Sequence, residues 1–135
     1  MTSYPLTIVT PDGLIFDGEA QELIVRTLAG DVGIMAGHAD YVAPLGMGLA
    51  TVVTENGRRT AACIGGMVSV ISGKVRLVPT TFEWSDKIDL KRAKAAKETA
   101  ESGLQRDDID EATFRYYEAK LKRALIRLSA AESNK

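Results

Sequence analysis

All four prolines and eleven of the twelve glycines lie before Trp84; only Gly103 follows it. No other feature constrains the chain as much. Glycine and proline punctuate strands and turns and are costly inside helices. Ahead of Trp84 the chain can turn often, and beyond it long uninterrupted helices are open to it. Charge changes at the same place. Residues 1–84 sum to −3 and residues 85–135 to +2, which gives −1 for the 135-residue chain. The division predicts two blocks, a β domain over residues 1–84 and a helical domain over residues 85–135.

The first block reads as short strands spaced by turns. "LTIV" stops at "TPDG", and "LIFDGEAQELIVRT" is apolar and β-branched around a polar middle. "LATVVTE" and "RRTAACI" flank Asn56-Gly57, and "MVSVI" and "KVRLV" flank Ser72-Gly73. Both dipeptides are hairpin signals. Many short strands in this grammar predict a sandwich or barrel. Met67 and Ile71 alternate with Val68 and Val70, so at least one strand carries apolar groups on both faces and contacts something besides its own core.

The second block reads as two helices. Ser85 or Asp86 can accept from the first turn's unpaired N–H groups, and Gly103 can end the first helix. Asp108 with Glu111 has capping-box spacing for the second. Phe114, Tyr117, Leu121, Ala124, Leu125 and Leu128 then fall on one helical face. The short polar connection predicts an antiparallel hairpin. Its first helix offers mainly Ala93, Ala96 and Ala100, with Ile88 and Leu104 at the ends. A buried CH₂ is worth roughly 0.8 kcal/mol, so alanine contributes far less than leucine. Docking of such a hairpin is marginal, as a switch requires.

Composition excludes several classes. Apolar residues make up 45% and charged residues 26%, as in a globular chain. The near-zero net charge argues against nonspecific nucleic-acid binding. No apolar run approaches a membrane span, and "MTSYPLTIVTPDG" lacks the pattern of a signal peptide. With one cysteine, Cys63, and one histidine, His38, neither an internal disulfide nor a zinc cluster is expected. No Cys–His pair, Gly-x-Ser-x-Gly or Gly-rich phosphate loop points to catalysis. Asp107, Asp108 and Asp110 form an acidic group without an EF-hand pattern.

"IDLKRA", residues 88–93, admits two readings. As structure, Asp89 favours the positive end of the helix dipole and pairs with Arg92 at i, i+3. As a nucleotide site, a helix start offers unpaired N–H groups, Asp89 can accept from an amino or hydroxyl group, Arg92 can stack or fork to phosphate, and Ala93 leaves room. Arg123 and Arg127 at i, i+4, extended by Lys120 and Tyr116, would bring positive charge if the hairpin folds back.

Two longer segments carry a resemblance. "GDVGIMAGHADYVAPLGMG", residues 30–48, and "IGGMVSVISGKVRLVPTT", residues 64–81, followed by a helical hairpin, are similar to the bacterial epsilon subunits of rotary F-type ATP synthases over residues 6–129. Met35 and Ala36 depart from the proline common after Gly-Ile in that family. The resemblance implies an α+β chain in sequence blocks: an N-terminal antiparallel β-sandwich, then a C-terminal two-helix antiparallel hairpin. It implies a non-catalytic central-stalk subunit, peripheral on the cytoplasmic face of the bacterial plasma membrane. Its expected partners are the gamma subunit and the c-ring, and the alpha/beta hexamer when the helices extend to block ATP hydrolysis. It further implies ATP as a regulatory ligand that is not hydrolysed. Ile88, Asp89, Arg92 and Ala93 match the family's Ile/Leu-Asp-x-x-Arg-Ala motif. Glu83, Arg123 and Arg127 match further contacting positions, and Thr99 stands where another basic contact is expected. A purely structural coupling subunit that does not bind ATP is the alternative.

Overall fold

The computed structural model describes residues 2–133. Eight strands come first: β1 (Tyr4–Thr10), β2 (Gly13–Ala20), β3 (Glu22–Thr27), β4 (Gly30–Met35), β5 (Tyr41–Pro44), β6 (Met47–Thr54), β7 (Gly57–Ile71) and β8 (Lys74–Trp84). A single 3-10 turn, Ser85–Lys87, leads to α1 (Leu90–Leu104) and α2 (Glu111–Glu132). The strands run in the order β2-β1-β8-β7-β6-β3-β4, with β5 on β7. The first part of β7, residues 57–64, pairs with β6, while residues 67–70 pair with β5. One long strand thereby serves both layers of a β-sandwich. The Tyr4 hydroxyl in β1 donates to the Ile34 carbonyl in β4 at 2.7 Å, joining strands far apart in the ladder. Burial first, and Glu22 second, raise the Tyr4 pKa well above its usual value.

Three local expectations are corrected here. The two strands expected on either side of Gly65-Gly66 are one continuous β7. Gly66 has φ +95°, and a Cβ on it would collide with the Val78 carbonyl oxygen. The glycine pair therefore bends a strand rather than ending one. The turn after β6 is Glu55–Asn56, not Asn56–Gly57. There the Thr54 hydroxyl accepts from the Asn56 N–H at 3.1 Å, and Thr10 and Thr27 do the same for Asp12 and Ala29 in their own hairpins. A recurring Thr-x-x-Gly device, with the hydroxyl bonding two residues on, thus sets three of the hairpins. Ser72-Gly73 behaves as expected, with positive φ at both residues, the primed geometry that a tight hairpin needs. Third, the ladder is not wholly antiparallel: β1 and β8 pair in parallel, with Leu6 opposite Val75 and Ile8 opposite Leu77. The first and last strands meeting side by side leave no mark in local sequence.

The helix starts also differ. Asp89, not Ser85 or Asp86, caps α1, its Oδ1 accepting from the Arg92 N–H at 3.0 Å. Ile88 is extended (ψ 131°), so the helix cannot begin before it. Asp110, not Asp108, caps α2, accepting from Thr113 N–H at 2.8 Å, while Asp108 forms a forked pair with Arg106. α1 runs one residue past Gly103. A Cβ on Gly103 would lie 2.6 Å from the Tyr117 ring, so this glycine admits close helix contact instead of stopping the helix. Since Gly103 at the end of α1 meets Tyr117 near the start of α2, the two helices are antiparallel.

The α2 stripe is narrower than periodicity suggests. Phe114 and Leu125 are 42% and 44% exposed, whereas Ala124, Ala130 and Ala131 are buried. α2 packs on α1, on β6 and β7, and on the 3-10 turn. Ala62 of β7 is fully buried yet stands outside the sandwich core, which fits a face covered by the hairpin.

Candidate functional site

Where the start of α1 leaves β8 and α2 crosses behind it, the chain encloses a cleft of about 940 Å³. Glu83 ends the strand side. Ile88, Asp89, Arg92 and Ala93 form the helix entrance, and Arg123 and Arg127 come from α2. All seven residues singled out in the sequence therefore line one space, although 44 positions separate the first from the last. Lys120 and Tyr116 extend the α2 row along the cleft, and Thr99 lies on its α1 wall.

Local chemistry shapes this space. Asp89 sits at the helix mouth with one carboxylate oxygen committed to capping, which leaves the other for a ligand donor. Ala93 is buried and small, so the wall beside Arg92 stays low. Arg127 reaches from α2 to Glu83 on β8, Nε to Oε1 at 2.5 Å, with 27% and 33% of the two side chains exposed. This is the one ion pair among the described residues that joins the sandwich to α2. A charge-assisted bond at partly dry sites is stronger than a solvated one. Lys120 and Arg123 are both partly buried, and neither enters an ion pair among the described residues.

The sequence did not reveal a third wall. Thr10 and Asp12 of the β1–β2 turn, Ile15 of β2, and Thr80, Thr81 and Phe82 of β8 face the same space. "TPDG" is legible as a turn, but nothing local says that it flanks a helix start some 75 positions later. Nor was the anchorage of the far end of α2 legible. Thr60 on β7 donates to Ser85 at 3.3 Å, and its hydroxyl lies 2.7 Å from that of Ser133. Beside them Arg59 lies 3.8 Å from the centre of the Trp84 ring.

The other residues weighed from sequence stand apart from the cleft. Cys63 is buried in the sandwich core, and burial pushes its thiol up to about 12, so it is an inert hydrophobe. His38 places Nδ1 2.7 Å from the Ala39 carbonyl and its ring edge-on to Tyr41, in an exposed turn. No cluster of His, Cys, Asp or Glu fit to hold a metal occurs among the described residues.

Comparison with known proteins agrees with this architecture. The family described as ATP synthase, Delta/Epsilon chain, beta-sandwich domain, matches residues 3–85, and the corresponding long alpha-helix domain matches residues 86–132. The ATP synthase epsilon chain of Caldicellulosiruptor bescii is 35% identical over 135 residues, covering 100% of this chain and 98% of the relative. That of Exiguobacterium sp. is 39% identical, covering 96% of each. Among solved structures, a chain in the Euglena gracilis mitochondrial ATP synthase OSCP/F1/c-ring assembly superposes with a TM-score of 0.83 at 27% identity, covering 97% of this chain and 82% of that one. Matched in both blocks and along its length, the chain belongs to the family of ATP synthase epsilon chains.

Proposed function

We propose that this chain is a non-catalytic central-stalk subunit that couples gamma to the c-ring and restrains ATP hydrolysis through its C-terminal helices. In this reading residues 1–84 are the docking body, and residues 85–135 move between a folded-back form and one extended toward the alpha/beta hexamer. ATP, bound but not hydrolysed, favours the folded-back form. The complex sits peripherally at the cytoplasmic face of the bacterial plasma membrane. No described helix is long and apolar enough to cross a membrane.

The observation that carries the ATP reading is the convergence of Glu83, Ile88, Asp89, Arg92, Ala93, Arg123 and Arg127 on one cleft. These residues come from the sandwich, the start of α1 and α2. A ligand touching all three is present only when the hairpin is folded back, so it stabilises that form by RT ln(1+[L]/Kd), about 1.4 kcal/mol at tenfold saturation. The cleft offers guanidinium groups for phosphate, carboxylate oxygens for amino or hydroxyl donors, and apolar Ile88 and Ala93 for a base. Support for a docking body comes from the sandwich surface. Val42, Met67, Ile71 and Val78 are exposed at 59, 43, 57 and 39%, and the strand register puts Met67 beside Val78. Apolar groups grouped on a sheet face suit a protein contact.

A titration of the full chain with ATP, against ADP and GTP, tests the ligand. ATP should raise the melting temperature, and Asp89→Ala and Arg92→Ala should each abolish that rise. An unchanged wild-type melting temperature at millimolar ATP would favour the second reading, a structural coupling subunit that senses no nucleotide. One observation speaks for that alternative: the Glu83–Arg127 pair and the Thr60–Ser133 contact join α2 to the sandwich through the chain's own side chains.

A further inference from the structure

The root of the helical domain and the end of α2 meet on one side chain. Thr60 of β7 donates to Ser85 at 3.3 Å, and its oxygen lies 2.7 Å from the Ser133 hydroxyl. Ser85 opens the 3-10 turn that leads from the sandwich to the helices, and Ser133 is the C-cap of α2. One hydroxyl of the sandwich therefore touches both the root and the tip of the arm. Ser85 is buried, and its turn packs between β7 and α2. Arg59 braces the residues on either side of Ser85: its guanidinium lies 3.8 Å from the centre of the Trp84 ring and 3.8 Å from the Asp86 carboxylate. A polar cavity of about 270 Å³ lies at this junction, lined by Arg58, Arg59, Thr60, Ser85, Asp86 and Ser133.

We propose that Thr60 is a latch for the helical domain: Ser85–Lys87 is the hinge, and the last turn of α2 is a strap that lifts before the hinge can turn. The inference rests on the two-position arm proposed above and names what holds that arm at its root. Its ground is a count of protons. A hydroxyl has one proton to donate and two lone pairs that accept. Ser133 also donates to the Ala130 carbonyl at 2.6 Å. With the Ser133 proton on that carbonyl, the short Thr60–Ser133 contact draws on the Thr60 proton and withdraws it from Ser85. With the Ser133 proton turned to Thr60, Ser85 keeps its donor. Root and tip are thus coupled through one hydroxyl, and a change at Ser133 is felt at Ser85. Release is easy, because water in the polar cavity can take over each hydroxyl's bonds. The Arg59–Asp86 pair is half exposed and adds little to the hold. Such a junction opens far more readily than the apolar core beneath it.

The test is hydrogen exchange on the full chain, resolved by residue, for the wild type and for Thr60→Val, Thr60→Ser and Ser133→Ala. Thr60→Val removes the hydroxyl and keeps the shape. It should speed exchange roughly fivefold both at the end of α2 and through Ser85–Asp89, as loss of one hydrogen bond would, with the strands unchanged. Thr60→Ser should restore the wild-type rates. Ser133→Ala, at the far end of the chain from the hinge, should also speed exchange at Ser85–Asp89. Acceleration confined to α2, or none at all, would reduce Thr60 to an ordinary contact and overturn the latch. A second measurement uses the reconstituted ATPase complex carrying Thr60→Cys with Ser133→Cys. Cys63 is buried and stays out of the reaction. Oxidation of the two introduced thiols should relieve restraint of hydrolysis, and reduction should bring it back; restraint that persists after oxidation would also overturn the latch. If deleting residues 85–135 leaves hydrolysis by the wild-type complex unchanged, the regulatory reading fails, while exchange in the isolated chain still decides whether root and tip are coupled.

Discussion

The sandwich and the hairpin bury their side chains by opposite means. Leu6, Ile8, Leu23, Ile34 and Leu77 are all fully buried in the sandwich core. In the hairpin the buried helical positions are Ala93, Ala100, Gly103, Ala124, Ala130 and Ala131. Large branched residues fill a core whose release costs much free energy. Alanines let helices approach closely but remove little apolar surface from water. The hairpin compensates with point contacts, namely a caps-and-turn network, one ion pair to β8, and hydroxyls at the far end of α2. The two halves therefore differ in how much apolar surface each buried side chain removes from water.

The largest expected effect lies in the rigid half. Leu77→Ala on β8 removes a fully buried leucine and should destabilise the whole chain by about 2–5 kcal/mol, read as a lower urea midpoint at unchanged slope. A midpoint unchanged within error would mean that the sandwich core is more loosely packed than its burial indicates.

Gly103→Ala should have a smaller and local effect. A Cβ there meets the Tyr117 ring at 2.6 Å, so the helices must separate at some cost, about 1–3 kcal/mol for overpacking. Hydrogen exchange should speed up in α1 and α2 and stay slow in β1, β7 and β8. Equal acceleration in the strands would erase the distinction between body and arm.

The smallest effect is a pH dependence confined to the arm. The Asp110 carboxyl is held below its ordinary value of 3.8, chiefly by its hydrogen bond with Thr113, and Asp108 is held down by Arg106. Because the folded-state values are depressed, their stabilisation is fully present above the ordinary carboxylate range. It is lost as pH falls below 3.8 through the lower folded values. Amide exchange at the start of α2 should therefore rise in acid before that of the strands. Asp110→Asn, which can still cap but does not titrate, should flatten this dependence.

Much of this architecture was legible because it depends on short-range chemistry. The Ser72-Gly73 hairpin, the alternation of Val68 and Val70 with exposed Met67 and Ile71, and the alanine face of α1 follow from turn geometry and periodicity. The failures are equally physical. Asp86, Asp89, Asp108 and Asp110 all have capping chemistry. Only the extended backbone of Ile88 and the salt bridge that occupies Asp108 select between neighbours one to three residues apart. Gly65-Gly66 reads as a break in sequence, yet acts as a bend because the Val78 carbonyl passes directly over Gly66.

The candidate site divides in the same way. Residues 88–93 carry their own helix start and their own carboxylate and guanidinium groups, so their chemistry could be recognised without coordinates. What they face could not. Glu83, Arg123, Arg127 and the Thr10–Asp12 turn come together through the parallel pairing of β1 with β8 and the folding back of α2, contacts between segments distant along the chain. Residue order sets which groups are available and which local shapes they prefer, since those preferences act over a few bonds. Which cations stay unpaired, and which one is spent on Glu83, is set by packing across the whole molecule, because Coulomb and desolvation terms depend on neighbours that only the folded chain supplies.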